Sequence, residues 1–197
     1  MSSVPRRSAI IIVSAGLAAI TILTALRARR RWRKYHAHDA NIAEAARAYR
    51  VNPRLIRAVI RRESSFVPNC VGAAGEAGLM QITEGAALEW ARAHRVAAVH
   101  RTELFEPGTN IRIGTWYLAR AIRNWSEKPD PLPYALAEYN AGRANARRWA
   151  AAETAGEART FLDAISYPQT RSYVEEILLR YRCRVSRDRQ EPIAADH

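Results

Sequence analysis

The chain has 197 residues, a hydrophobic content of 48% and a formal net charge of +12. These values are typical of one globular domain with a short appendage and exclude a disordered protein, while two cysteines are too few for a disulfide framework. The charge is uneven, because residues 1–38 hold eight Arg or Lys and no acid, whereas residues 39–197 hold 23 basic and 19 acidic side chains. This near balance argues against a nucleic-acid-binding domain, so we expect no specific nucleic-acid partner.

The first predicted element is an apolar run of nineteen uncharged residues, 8–26, which follows a short tail of residues 1–7. A helix of this length spans a hydrocarbon core of about 30 Å, so we predict a single transmembrane signal-anchor helix. A cleaved signal peptide is the alternative, but the run is long for one and no small-x-small site precedes the basic cluster. The basic linker that follows, 27–38, carries six positive residues. By the positive-inside rule alone, that cluster would place the rest of the chain in the cytoplasm.

Helix signals dominate the remainder of the chain and predict an all-α, or mainly α, fold. Asp39 caps a helix that reaches about Arg50, and Asn52-Pro53 opens the next helix, which ends near Phe66. Thr83 caps a third helix, and the later ones are predicted from 107, around 136, at 142–152, at 157–165 and at 170–184. A small hairpin within 95–104 is left open. We expect residues 186–197 to be a disordered tail.

A lone carboxylate lies on the apolar face of the second of these helices. Leu55, Ile56, Val59 and Ile60 recur at the spacing of an amphipathic helix, and Glu63 follows Ile60 by three residues on the same face. A carboxylate in apolar surroundings loses hydration of its charged form, so the pKa of Glu63 is expected to rise. A raised pKa suits a general acid that works near neutral pH.

Four short motifs follow one another along this part of the chain: ESSF at 63–66, GLMQI at 78–82, AEYNAG at 137–142 and YPQTRSYV at 167–174. Together they resemble the soluble lytic transglycosylases of bacteria, a lysozyme-like family that cleaves peptidoglycan. The resemblance covers residues 39–185, which we take as a catalytic domain. It implies a helical fold like that of goose-type lysozyme. It also implies an extracytoplasmic domain anchored in the bacterial inner membrane, against the positive-inside rule.

The resemblance further implies a reaction and a set of site residues. Glu63 would be the only catalytic carboxylate, cleaving the β-1,4 bond between N-acetylmuramic acid and N-acetylglucosamine with formation of a 1,6-anhydromuramoyl product. Tyr173 would orient Glu63 by a hydrogen bond, with a plain core tyrosine as the alternative. The residues expected to bind substrate are Met80, Gln81, Tyr139, Asn140 and Tyr173. For Met80 core packing is the alternative, and for Glu63 an ion pair with Arg61 or Arg62.

The sequence departs from the family pattern at one position. Many members carry a serine nine residues after the catalytic glutamate, where this chain has Gly72, and Glu76 is a candidate second polar group near the cleft. Pairing of Cys70 with Cys183 is left open. The five histidines show no ligand spacing, so neither a metal nor another cofactor is predicted.

Three functions therefore remain in view. They are a lytic transglycosylase, a lysozyme-type muramidase that uses water instead of the C6 hydroxyl, and a weakly active membrane-tethered scaffold that binds peptidoglycan. The expected partners are peptidoglycan glycan strands and the inner membrane. Proteins of division or of envelope assembly are further candidates, by analogy alone.

Overall fold

The computed structural model describes residues 6–156 and 159–190, with the side chains of 6–16, 19 and 184–190 outside the description. The chain divides into two compact units, Met1–His38 and Asp39–His197. In the first unit, residues Arg6–His36 form one helix, α1. Within the described part of the chain, no helix offers the length of apolar sequence that crossing a membrane requires. The anchor at 8–26 therefore stays a prediction.

The second unit is built from helices. It includes one 3₁₀ helix among the described residues, Arg101–Phe105. The α-helices are α2 Asp39–Tyr49, α3 Pro53–Ser64, α4 Glu84–His94, α5 Pro107–Asn124, α6 Leu132–Ala141, α7 Arg143–Thr154, α8 Phe161–Ala164 and α9 Pro168–Gln190. The described residues contain no β-strand, only isolated bridges that join Ala77 to Val71 and Ile82. The mainly helical prediction is confirmed.

The hairpin left open within 95–104 is wrong. Val96 is half exposed and has no partner strand among the described residues. The chain instead turns into the 3₁₀ helix, where the Glu103 carboxylate accepts the His100 backbone N–H at 2.7 Å and the Glu103 N–H donates to the His100 carbonyl at 3.0 Å. These reciprocal bonds satisfy backbone groups locally, which removes the need for a strand partner.

The ends of the helix that carries Glu63 follow from its sequence. At the start of α3 the Asn52 side chain accepts the Arg54 backbone N–H at 2.9 Å, and Pro53 fits the first position because it needs no hydrogen-bonded N–H. At the other end Ser65 adopts a left-handed conformation with φ 50°, which stops the helix. Glu63 consequently lies in the last turn of α3, beside the loop that leads to GLMQI.

The packing of the helices brings the motifs together. Helix α6 lies against α5, α7 and α9, while α3 packs on α9. The apolar face of α3 is buried at Leu55, Ile56, Val59 and Ile60. Helix α9 runs to Gln190, past the start of the tail predicted at 186, and residues 191–197 lie outside the described part. Cys70 and Cys183 are both free thiols.

Candidate active site

Glu63 and Tyr173, 110 residues apart in sequence, meet where α3 packs against α9. The Tyr173 hydroxyl donates a hydrogen bond of 2.6 Å to Oε1 of Glu63. Tyr173 is 1% exposed, so its ring packs in the core while its hydroxyl reaches the carboxylate. Burial and the neighbouring Glu63 raise the pKa of Tyr173 well above its usual value. The hydroxyl therefore stays protonated and remains a hydrogen-bond donor to Glu63.

The surroundings of Glu63 raise the pKa of its carboxyl into the neutral range. Burial of the carboxylate raises its pKa to about 7, against the opposing effects of the Tyr173 hydrogen bond and the positive Arg62. The negative charge of Glu76 raises this pKa further. The direction is the one expected from the position of Glu63 on the apolar face of α3. Such a group can both donate and accept a proton under physiological conditions.

The alternative of an ion pair between Glu63 and the arginines beside it is wrong. Nε of Arg62 lies 3.1 Å from Oε2 of Glu176, a residue of α9. The Arg62 guanidinium also lies over the Tyr173 ring, 5.4 Å from the centroid. Glu63 forms no ion pair among the described residues, and the Arg62 guanidinium is paired with Glu176 instead.

A network of buried hydrogen bonds holds the GLMQI segment beside α3. The Ser64 hydroxyl donates to the Leu79 carbonyl at 2.9 Å, which connects the ESSF motif directly to GLMQI. Asn110 on α5 accepts the Met80 backbone N–H at 2.7 Å and donates to the Ala77 carbonyl at 2.8 Å. Sequence reasoning did not identify Asn110, because no local pattern distinguishes a buried helical asparagine from an exposed one.

Met80 and Gln81 have different surroundings. The Met80 side chain is 0% exposed, with its sulfur 3.9 Å from the Thr115 hydroxyl, which favours the core-packing alternative. Gln81 is half-buried with φ 49°, and its amide donates to the carbonyls of Gly78 at 2.8 Å and Cys70 at 3.2 Å. These two bonds leave the Gln81 amide oxygen as the group available to a ligand.

The YNAG residues border the same region from α6. The Tyr139 hydroxyl donates to the Met80 carbonyl at 2.9 Å, and burial followed by the charge of Glu63 raises the pKa of Tyr139. Asn140 is exposed and accepts a hydrogen bond of 2.8 Å from the Thr170 hydroxyl on α9. A cavity of about 960 Å³ is lined by Arg62, Asn140 and Thr170 among others. The cavity therefore adjoins the last turn of α3, which carries Glu63.

Glu138, the residue before this motif, has a structural role. It is 4% exposed and accepts hydrogen bonds from the Asn124 amide at 2.7 Å and the Trp125 indole at 2.8 Å. The carboxylate ties the end of α5 to α6.

Comparison with known proteins identifies the family to which this domain belongs. The family described as "Transglycosylase SLT domain" matches residues 40–162, which is well over half of the chain and includes α2 to the start of α8. The match takes in Glu63, the GLMQI segment and the YNAG residues. The chain belongs to the transglycosylase SLT family.

Two lytic murein transglycosylases are similar to part of this chain. The soluble lytic murein transglycosylase of Salmonella typhimurium is 34% identical over 124 residues, which are 61% of this chain and 19% of the relative. The membrane-bound lytic murein transglycosylase C of Salmonella arizonae is 35% identical over 108 residues, 52% of this chain and 30% of the relative. The chain thus spans less than a third of either relative.

Solved structures of lytic transglycosylases share the lysozyme-like fold. The 70 kDa soluble enzyme of Escherichia coli has a TM-score of 0.67 and 27% identity over 76% of this chain and 25% of its own. A complex of the 70 kDa soluble enzyme with bulgecin A has a TM-score of 0.69 and 26% identity, over 78% of this chain and 25% of its own. An inactive glutamate-to-glutamine mutant of Slt from Pseudomonas aeruginosa has a TM-score of 0.67 and 25% identity, over 82% of this chain and 26% of its own.

Proposed function

We propose that the protein is a peptidoglycan lytic transglycosylase in which Glu63 is the catalytic acid and base. The observation that carries the proposal is the part-buried Glu63–Tyr173 hydrogen bond within an SLT domain. It holds a single carboxylate in a fixed orientation, and burial leaves the pKa at about 7. A group that changes protonation state near neutral pH can serve in both proton transfers of the reaction.

The proposed reaction has two proton transfers and consumes no water. Glu63 first protonates the oxygen that links C1 of N-acetylmuramic acid to N-acetylglucosamine, and this C1–O bond breaks. The Glu63 carboxylate then takes the proton of the muramoyl C6 hydroxyl, whose oxygen bonds to C1 and closes the 1,6-anhydro ring. The enzyme returns to its protonated form. The acetamido group of the substrate would stabilise the positive charge at C1, so a second catalytic carboxylate is not required, unlike in most glycosidases.

Substrate contacts are assigned as part of the same proposal. The free amide oxygen of Gln81 suits N–H and O–H groups of the sugars, and exposed Asn140 borders the adjoining cavity. Tyr139 and Tyr173 flank the carboxylate. Met80 supports the site through its backbone carbonyl, which accepts the Tyr139 hydroxyl.

We also propose that residues 8–26 anchor the protein in the bacterial inner membrane, with the SLT domain outside the cytoplasm. The support is the uncharged nineteen-residue run in the sequence and the membrane-bound relative. Peptidoglycan and the membrane are the proposed partners, and proteins of division or envelope assembly are further candidates.

Replacement of Glu63 tests the proposal. The full-length Glu63→Gln variant should release soluble fragments from purified peptidoglycan sacculi roughly 100-fold to 10,000-fold more slowly than wild type, the usual contribution of a general acid–base. Glu127→Gln removes an exposed carboxylate that makes no hydrogen bond or ion pair with a described residue, and should retain wild-type activity. Thermal melting confirms that both variants fold. Equal rates for wild type and Glu63→Gln would refute the assignment.

A further inference from the structure

The loop between α3 and α4 contains a close approach at Gly72. A Cβ atom added to Gly72 would lie 2.3 Å from Oε2 of Glu76 and 2.7 Å from Oε1 of Gln81. Both distances are far below van der Waals contact, so the Glu76 carboxylate and the Gln81 amide already occupy the space of a side chain at position 72. Gly72, which stands where many family members have serine, therefore leaves the space that the Glu76 carboxylate fills.

The backbone of the loop holds Glu76 in this place. The Gly72 N–H donates to the Glu76 carbonyl at 2.8 Å, and the Ala74 N–H donates to Oε2 of Glu76 at 3.0 Å. Gly75, with φ +87°, closes the turn by donating to the Gly72 carbonyl at 3.1 Å. Glu76 forms no ion pair with a described residue. One oxygen of its carboxylate is thus held by the loop backbone, beside the Gln81 amide.

We propose that Glu76 is a second functional carboxylate of the cleft, which fills the space left open by Gly72 and acts on Glu63 from the cleft wall. This inference rests on the proposed function, since it assigns a positioning residue for the same reaction. The alternative is that the Glu76 carboxylate only closes its own turn by accepting the Ala74 N–H. The two roles make different demands on the side chain at position 76. Turn closure needs only an oxygen that accepts a hydrogen bond, whereas an effect on the pKa of Glu63 needs a negative charge.

Four titratable or charged groups on the surrounding elements interact electrostatically with Glu63. They are Tyr173 on α9, Tyr139 on α6, Arg62 on α3 and Glu76 in the loop. Burial raises the pKa of Glu63 most, Tyr173 and Arg62 lower it, and Glu76 raises it. Glu76 therefore opposes the effect of Arg62 and favours the protonated form of Glu63 that the first step needs. A serine at position 72 would be neutral and have no such effect.

Glu76→Gln separates charge from shape, because the amide keeps an oxygen for the Ala74 N–H. In the full-length variant we expect the Glu63 carboxyl, followed by ¹³C NMR of Glu-labelled protein, to titrate at lower pH than in wild type. The alkaline limb of the kcat/KM profile should move to lower pH in parallel, with a severalfold loss at about pH 8 and little change at about pH 5. Glu127→Gln should leave both measurements unchanged.

The exchange between positions 72 and 76 supplies a second test. Gly72→Ser alone meets the Glu76 carboxylate and should lower kcat/KM by about 10-fold or more, whereas Gly72→Ser combined with Glu76→Ala should recover part of that loss, since contacting residues are not additive. Independent effects of the two substitutions would overturn the proposed arrangement. Melting temperatures of each variant identify any loss that comes from unfolding.

These measurements keep the two proposals apart. The titration of Glu63 needs no substrate, so a protein that cleaves no glycan but shows the shifted titration would overturn the proposed function and support Glu76. A protein that loses activity in Glu63→Gln, yet has the same titration and pH profile in Glu76→Gln as in wild type, would retain the function and overturn Glu76.

Discussion

Glu63 lies in the last turn of α3, on the same face as four buried aliphatic side chains, and Tyr173 fixes its orientation. The sequence predicts the apolar setting, because the spacing of Ile56 and Ile60 places Glu63 on their face. The Tyr173 contact spans 110 residues and could be anticipated only from the family resemblance. Local periodicity carries no information on which distant helix covers a side chain.

Removal of the Tyr173 hydroxyl tests its role at this scale. A hydrogen bond to a charged group contributes about 1.5–3 kcal/mol, so Tyr173→Phe should reduce kcat by roughly 10-fold to 100-fold. Because that bond lowers the pKa of Glu63, its loss should move the alkaline limb of the rate profile to higher pH. This shift is opposite in sign to the one expected for Glu76→Gln.

Tyr134→Phe is the matched control for this substitution. Tyr134 donates a hydrogen bond of 2.6 Å to Glu153, so the variant loses a tyrosine–glutamate bond that does not involve the GLMQI or YNAG residues. It should lower the melting temperature without altering the pH profile. A wild-type kcat and pH profile for Tyr173→Phe would contradict the role assigned to its hydroxyl.

At the scale of elements, the GLMQI segment depends on α5. Gly78 has φ +79°, and a Cβ there would lie 2.3 Å from both the Asn110 amide nitrogen and the Leu104 carbonyl. The glycine of the motif is therefore set by packing against α5 and by its backbone conformation. Helix ends such as Asn52 and Thr83 were predictable from capping chemistry. The Asn110 network was not, because its partners are backbone groups of a distant loop.

Asn110→Asp tests this dependence. Asn110 donates to the carbonyls of Ala77 and Leu104 at 2.8 and 2.7 Å, and an ionised aspartate would face both without a proton to donate. We expect a loss of about 3 kcal/mol or more in the free energy of unfolding, measured by urea denaturation, since each unsatisfied buried group costs about 1–3 kcal/mol.

Asn145→Ala provides the comparison for this measurement. Its side chain makes one hydrogen bond to the backbone, to the Ala141 carbonyl at 2.8 Å, and its loss should cost about 1 kcal/mol. Equal stability losses in Asn110→Asp and Asn145→Ala would show that the network does not hold the segment.

At the scale of the whole molecule, charge and hydropathy separate residues 1–38 from the rest, and the structure divides the chain after His38. The all-α class was predictable because helix caps and apolar stripes recur from Asp39 onwards. The hairpin within 95–104 was wrong because the apolar residues 96–99 resemble a strand in composition but have no partner strand among the described residues. Family membership rests on the match over residues 40–162, which contains three of the four motifs.

Deletion of residues 1–38 tests the proposed anchor. The full-length protein should remain in the membrane pellet after carbonate extraction, whereas a chain of residues 39–197 should be released, because the uncharged run lies only in the deleted part. A variant with Arg27 and Arg29 to Arg31 changed to Gln keeps the apolar run but removes four charges, and it should stay in the pellet. Carbonate release of the full-length protein would contradict the anchor.

The most direct measurement of the central claim is mass spectrometry of the fragments that the full-length protein releases from purified peptidoglycan. Wild type should yield muropeptides that end in 1,6-anhydromuramic acid, and Glu63→Gln should yield none above the background without enzyme. Reducing-end muropeptides would instead mean that water is the nucleophile, as in a lysozyme-type muramidase. Binding of folded wild type to sacculi without any product would contradict catalysis and indicate a scaffold.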